Sequence, residues 1–212
     1  MDPVHDLSNR RLYLCVSIRD DASDFLPAVL AGGVDVVQLR EKVRSDEDRL
    51  AAARVMLPIC RDFDVPFVMN DSPELALASG ADGVHVGQDD VSVARCRELL
   101  GEASIVGLST HAPAEFDAAL TQAASYLSAG PIVPTPTKLG RAGTGIDYAR
   151  DCTARSDRPV FVTGGVNADN IGDLVRAGLR HFVVVRALTE AADPARAART
   201  LRHSLDEALA AL

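Results

Sequence analysis

Short apolar runs alternate with helix-like segments eight times from residue 11 onward, and that alternation constrains the fold more than any other feature of the chain. The runs fall at residues 11–18, 34–39, 66–69, 83–87, 104–108, 126–129, 159–163 and 181–185. The second, Val-Asp-Val-Val-Gln-Leu, is rich in β-branched residues and almost continuously apolar, as a strand buried on both faces must be. Between the runs lie helix signals. Ser45 precedes an acidic first turn, and Ser72-Pro73 opens a segment that Gly80 closes. Gly101 follows residues 93–100, Pro113 opens the next helix, and Asp193-Pro194 caps a long terminal one. Residues 24–30, 146–155 and 169–177 complete the set. Eight strands and eight helices in alternation predict an α/β fold, a single (βα)8 TIM barrel, with an open doubly wound sheet as the alternative. The expected domain is 1–212, with residues 1–10 as a loose N-terminal leader.

Composition narrows the function classes. The net charge is −8, and no basic stripe interleaved with aromatics appears, which argues against a nucleic-acid partner. Apolar runs are far shorter than the ~20 residues a membrane span needs. Cys15, Cys60, Cys96 and Cys152 are scattered without metal-ligand spacing, as expected of reduced thiols in a cytoplasmic protein. The expected partners are small-molecule substrates, with no membrane and no nucleic acid; a homo-oligomer stays open.

The chemistry-bearing residues fall at the carboxyl ends of the predicted strands, which converge on one mouth in a parallel barrel. They are Gln38, Arg40 and Lys42, then Asn70 and Asp71, Asp89 and Asp90, Ser109, Lys138, Gly165 and Arg186. Residues 130–145 form a stretch dense in proline and glycine, with Thr135, Pro136, Thr137 and Lys138 at its centre. Two hydroxyls and a cation within four residues suit a phosphate or diphosphate, and the prolines limit the ordering entropy lost on binding. This stretch is expected to act as an anion-clamping lid. Arg40, Lys42 and Lys138 bring cations to the mouth of an otherwise acidic chain. Asp71 and one of Asp89 or Asp90 bring carboxylates to neighbouring strand ends, a set that suits a diphosphate bridged by Mg²⁺. Gly164-Gly165 offers bare backbone amides where many barrels bind phosphate. His85, inside an apolar strand, reads as a satisfied core histidine, and His111 is a weaker candidate for the mouth.

Several strings together resemble the thiamine-phosphate synthase (thiamine-phosphate pyrophosphorylase) family. They are Gln38-Leu39-Arg40-Glu41-Lys42, Asn70-Asp71, residues 83–90 (GVHVGQDD), Gly107-Leu108-Ser109, Gly130-Pro131 with Pro134 to Lys138, and Gly164-Gly165-Val166-Asn167. The resemblance implies a (βα)8 barrel that joins 4-amino-2-methyl-5-(diphosphooxymethyl)pyrimidine to a thiazole phosphate, plain or carboxylated, releasing diphosphate. It implies that Gln38, Leu39, Arg40, Glu41, Lys42 and Asn70 hold the pyrimidine diphosphate and that Ser109 contacts the pyrimidine. Asp71 and Asp90 are implied Mg²⁺ ligands. Thr135, Pro136, Thr137 and the Gly165 amide are implied to hold the thiazole phosphate, with Lys138 neutralising the leaving diphosphate. Lys138, Ser109 and Arg40 are the implied catalytic residues. Arg186 stands where the family commonly has a serine, and it is expected beside the thiazole phosphate. A thiazole tautomerase, a sugar-phosphate epimerase or isomerase, and a non-catalytic barrel that binds thiamine precursors are the alternatives.

Overall fold

The computed structural model describes residues 5–134 and 143–212. Eight parallel strands run in sequence order: β1 (Leu12–Val16), β2 (Val36–Leu39), β3 (Phe67–Asn70), β4 (Gly83–Val86), β5 (Ile105–Thr110), β6 (Tyr126–Ala129), β7 (Val160–Val162) and β8 (His181–Val184). Pairing of Leu12 with Phe182, Tyr13 with Val183 and Leu14 with Val184 joins β8 to β1, so the sheet is a closed barrel and the open-sheet alternative falls. The helices are α1 (Ala22–Ala31), α2 (Asp46–Asp62), α3 (Pro73–Ser79), α4 (Val93–Leu100), α5 (Pro113–Leu120), α6 (Ile146–Arg155), α7 (Ile171–Arg176), α8 (Arg186–Thr189) and α9 (Pro194–Ala210).

The strand period of two sorts the side chains into two cores. Leu12, Leu14, Val37, Leu39, Met69, Val84, Leu127 and Val162 point outward and pack under the helices. Tyr13, Val36, Val68, Ile105, Tyr126 and Phe161 point inward and fill the barrel. The rings of Tyr13 and Tyr126 meet Phe161 edge-on, with centroids 5.2 and 5.3 Å away. Gly107 makes this packing feasible. A Cβ there would sit 2.1 Å from Tyr126 Cζ and 2.5 Å from His85 Nδ1.

Two expectations need correction. Residues 5–10 are not a loose leader: Leu7 is 4% exposed and closes the bottom of the interior core, while His5 Nδ1 bonds the Ala103 carbonyl at 2.9 Å. One apolar residue suffices to dock a polar segment, so composition hid it. The helix count also differs, because α8 adds a single turn between β8 and α9. Four residues are too few to show a helical period. Ser45 and Ser72 form the expected caps and Ser92 adds one more, each accepting a hydrogen bond from the backbone N–H three residues on.

Candidate active site

The carboxyl ends of the strands surround a cavity of about 530 Å³. Inward-facing strand positions build its floor and the first residues after each strand build its rim. Gln38, Arg40, Lys42, Asn70, Asp71, Asp89, Asp90, Ser109, Gly165 and Arg186 all line it, as the strand-end pattern predicted. Leu39 and Glu41 do not. Strand alternation turns the Leu39 side chain out into the core beneath the helices, where it is 1% exposed. The Glu41 carboxylate is engaged by its own loop, accepting from the Val43 N–H at 2.9 Å. Thr135, Pro136, Thr137 and Lys138, with the lid they were expected to form, lie outside the described residues.

On one side of the rim, Lys42 Nζ lies 2.9 Å from Asp71 Oδ2. Asp71 follows β3 with a φ of 65°, a left-handed conformation uncommon for aspartate, and its N–H donates to the His85 carbonyl at 2.8 Å. Burial pushes the Asp71 carboxyl above the usual range, Lys42 opposes the shift, and the neighbouring Asp90 carboxylate adds to it. Asp90 in turn accepts from the Gly87 N–H at 2.8 Å. Asp71 and Asp90 are thus adjacent anions, which fits a shared divalent cation. Among the described residues no group of three or more His, Cys, Asp and Glu is placed to hold a metal. Two carboxylates completed by ligand oxygens and water is an arrangement suited to Mg²⁺.

The opposite side is built by the turn after β7. Gly164 and Gly165 have φ of 104° and 75°, and the Gly165 carbonyl accepts from Nδ2 of Asn167 at 3.3 Å and of Asn170 at 2.9 Å. A Cβ on Gly164 would lie 2.7 Å from the Ile132 nitrogen, so glycine is what lets the turn approach the strand β6 loop. Arg186 opens α8 beside this turn, and among the described residues it makes no ion pair with Glu190.

The floor carries residues that sequence reasoning missed: Tyr13, Cys15, Tyr126, Ser128 and Thr163. His85, read as a core histidine, lines the cavity as well, with Nδ1 2.9 Å from Tyr126 Oη and Nε2 2.8 Å from Ser109 Oγ. Parity was the available signal: residues 13 and 15 share a face with Gln38 through the β1–β2 register. His111 donates from Nδ1 to the Gly130 carbonyl at 2.5 Å, tying the end of β5 to the loop after β6. Asn70 is 6% exposed, and its Nδ2 has no partner among the described residues. An unpaired buried donor at a cavity wall costs about 1–3 kcal/mol unless a ligand acceptor meets it.

Residues 12–188 match the thiamine monophosphate synthase (TMP-TENI) family. The thiamine-phosphate synthase of Acidothermus cellulolyticus is 43% identical over 197 residues, covering 91% of this chain and 93% of that protein. The one from Thermobifida fusca is 44% identical over 211 residues, 97% of this chain and 96% of that protein. Among solved structures, the thiamine phosphate pyrophosphorylase of Pyrococcus furiosus superposes with a TM-score of 0.85 at 27% identity, over 94% of this chain and 97% of that one. The 3-hexulose-6-phosphate synthase of Salmonella typhimurium, at 21% identity and a TM-score of 0.74 over 93% of this chain and 99% of that one, shares the barrel alone. Matched along most of its length by the family and by relatives more than 40% identical to it, the chain belongs to the thiamine monophosphate synthase family.

Proposed function

We propose that the chain is a transferase that makes thiamine phosphate, condensing the aminopyrimidine methyl diphosphate with thiazole phosphate and releasing diphosphate. The observation that carries this reading is the rim of the cavity, where Arg40, Lys42, Asp71 and Asp90 lie together across from the Gly164-Gly165 turn and Arg186. Cations beside paired carboxylates suit a metal-bound diphosphate, and the turn across the mouth suits a second, singly phosphorylated substrate. In this reading Gln38, Asn70 and Ser109 hold the pyrimidine, and the unpartnered Asn70 amide finds its acceptor there. Arg40, Lys42 and Lys138 stabilise the charge that grows on the departing diphosphate. The Gly165 amide, Arg186, Thr135 and Thr137 orient the thiazole phosphate so that its ring nitrogen faces the pyrimidine methylene.

Asp71 and Asp90 would hold Mg²⁺, which supplies charge neutralisation to the diphosphate when bound. The four cysteines, all buried and none in a disulfide among the described residues, are consistent with a reducing cytoplasm. No helix among the described residues is long and apolar enough to cross a membrane. The test is an assay that supplies both precursors with and without Mg²⁺ and measures thiamine phosphate. Failure to form product with both precursors and metal present would overturn the reading.

A further inference from the structure

The cavity floor holds one continuous line of hydrogen bonds running from β1 to β6. Cys15 Sγ donates to Gln38 Oε1 at 3.2 Å, so the amide presents Nε2 to Tyr13 Oη, 3.0 Å away. Tyr13 Oη lies 2.8 Å from Tyr126 Oη, which lies 2.9 Å from His85 Nδ1. His85 Nε2 is 2.8 Å from Ser109 Oγ, and Ser109 Oγ is 3.3 Å from Ser128 Oγ.

Each phenol has one proton to give, and that fixes the direction of the whole line. Tyr13 accepts from Gln38, so its hydroxyl hydrogen goes to Tyr126. Tyr126 then donates to His85 Nδ1. A neutral imidazole that accepts at Nδ1 carries its proton on Nε2, which donates to Ser109. Ser109 is left with its own hydrogen to give, either to Ser128 or into the cavity. Its contact to Ser128 is the longest in the line, so a closer acceptor on a ligand displaces it. Reversing the line would make Ser109 donate to His85 and offer the ligand only lone pairs. Both phenols remain protonated, since complete burial raises each well above its ordinary pKa.

We propose that Tyr13 and Tyr126 are positioning residues, forming with Gln38 a directional relay that holds His85 as its Nε2–H tautomer and so makes Ser109 a donor to the pyrimidine ring. The inference rests on the reading that Ser109 meets that ring, and it adds the polarity of the contact and the residues that set it. Neither tyrosine hydroxyl needs to take part in bond making. Gly107 belongs to the same device, because its missing side chain lets the His85 and Tyr126 rings stack with centroids 5.5 Å apart.

The experiment is nitrogen NMR of ¹⁵N-histidine-labelled, ligand-free protein, with the His85 signals assigned by their loss in His85→Gln. The wild type is expected to carry the His85 proton on Nε2. Tyr13→Phe, two bonds removed from His85, is expected to return the ring to a mixture of tautomers. It should also lower kcat about fivefold, the size of one neutral hydrogen bond, with the urea midpoint little changed. Should Tyr13→Phe fail to fold, Gln38→Met removes the donor that sets the direction of the Tyr13 hydroxyl and is read the same way in the tautomer. A wild-type proton on Nδ1, or a tautomer that ignores the substitution, overturns the relay. A tautomer that shifts without any change in kcat overturns its link to Ser109 and the ligand. If the tautomer shifts as expected while wild-type protein makes no thiamine phosphate, the relay is upheld and the functional reading fails.

Discussion

Asp71 brings backbone and charge together at one position. A left-handed aspartate stores about 1–3 kcal/mol of strain, and the bond from its N–H to the His85 carbonyl helps hold it there. That placement sets its carboxylate between Lys42 and Asp90. Changing either Asp71 or Asp90 to alanine is expected to raise the Mg²⁺ concentration for half-maximal rate and to weaken pyrimidine diphosphate binding. Asp89→Ala, at the same rim, should do less. Metal titrations of the three variants check this, and an unchanged Mg²⁺ dependence in both Asp71→Ala and Asp90→Ala would remove the metal assignment. Arg186 offers a second test on the opposite side. A guanidinium makes paired hydrogen bonds to phosphate that a serine hydroxyl cannot. Arg186→Ser should therefore weaken thiazole phosphate binding by about 1.5–3 kcal/mol and leave the pyrimidine diphosphate nearly untouched. Separate calorimetric titrations decide it: equal losses for both ligands mean damage to the barrel, and no loss for either means that Arg186 does not reach phosphate.

At the scale of elements, the strands were legible because burial on both faces leaves an apolar run that polar loops interrupt. The helices α4 and α6 fall at residues 93–100 and 146–155, the bounds read from the sequence, with Gly101 closing α4 as expected. The strand ends were harder to place. Asn70 and Ser109, placed just past the apolar runs at residues 66–69 and 104–108 because they are polar, lie within strands, since the cavity supplies polar company at the inward positions. The same cause hid Tyr13 and Tyr126, whose hydroxyls pair with each other in a contact that a one-dimensional pattern cannot show. Gly107 looked like a motif residue, and the structure gives its physical role. Gly107→Ala would drive a methyl group into the Tyr126 ring, at 2.1 Å from Cζ. Overpacking of this kind costs about 1–3 kcal/mol, and the wholly buried Tyr126 ring must shift to make room. Urea unfolding should show that loss, with activity falling further than stability as His85 and Tyr126 part. A variant as stable and active as wild type would contradict the packing argument.

Across the whole molecule the two ends of the barrel divide the work, with chemistry at the carboxyl ends of the strands and buried titratable groups at the amino ends. His181 donates from Nδ1 to the Arg10 carbonyl at 2.6 Å, and Arg11 Nη1 lies 3.1 Å from its Nε2. That geometry suits a neutral ring, and burial lowers its pKa from 6.5 to about 4. Asp35 accepts from the backbone N–H groups of Arg11 and Leu12, yet burial outweighs those bonds and raises it from 3.8 to about 6. The two act oppositely on stability in nearly the same window. As pH falls from 6.5 towards 4, the unfolded chain protonates His181 and the folded one does not, so the native state loses stability. As pH falls from 6 towards 3.8, folded Asp35 takes a proton that the unfolded chain does not, so the native state gains. Each effect is at most about 3–3.5 kcal/mol, at 1.36 kcal/mol for each tenfold difference in proton affinity. Together they leave the acid flank of the stability curve nearly flat as far as this pair is concerned. His181→Asn removes the losing half, so acidification from pH 6.5 to 4 should destabilise it less than wild type. Asp35→Asn removes the gaining half and should steepen the loss, beyond any fixed cost of altering its contacts to the two amides. Urea unfolding across that range, compared by slope with pH, separates the two effects from those fixed costs. Parallel slopes for all three proteins would mean that neither group titrates differently in the folded barrel.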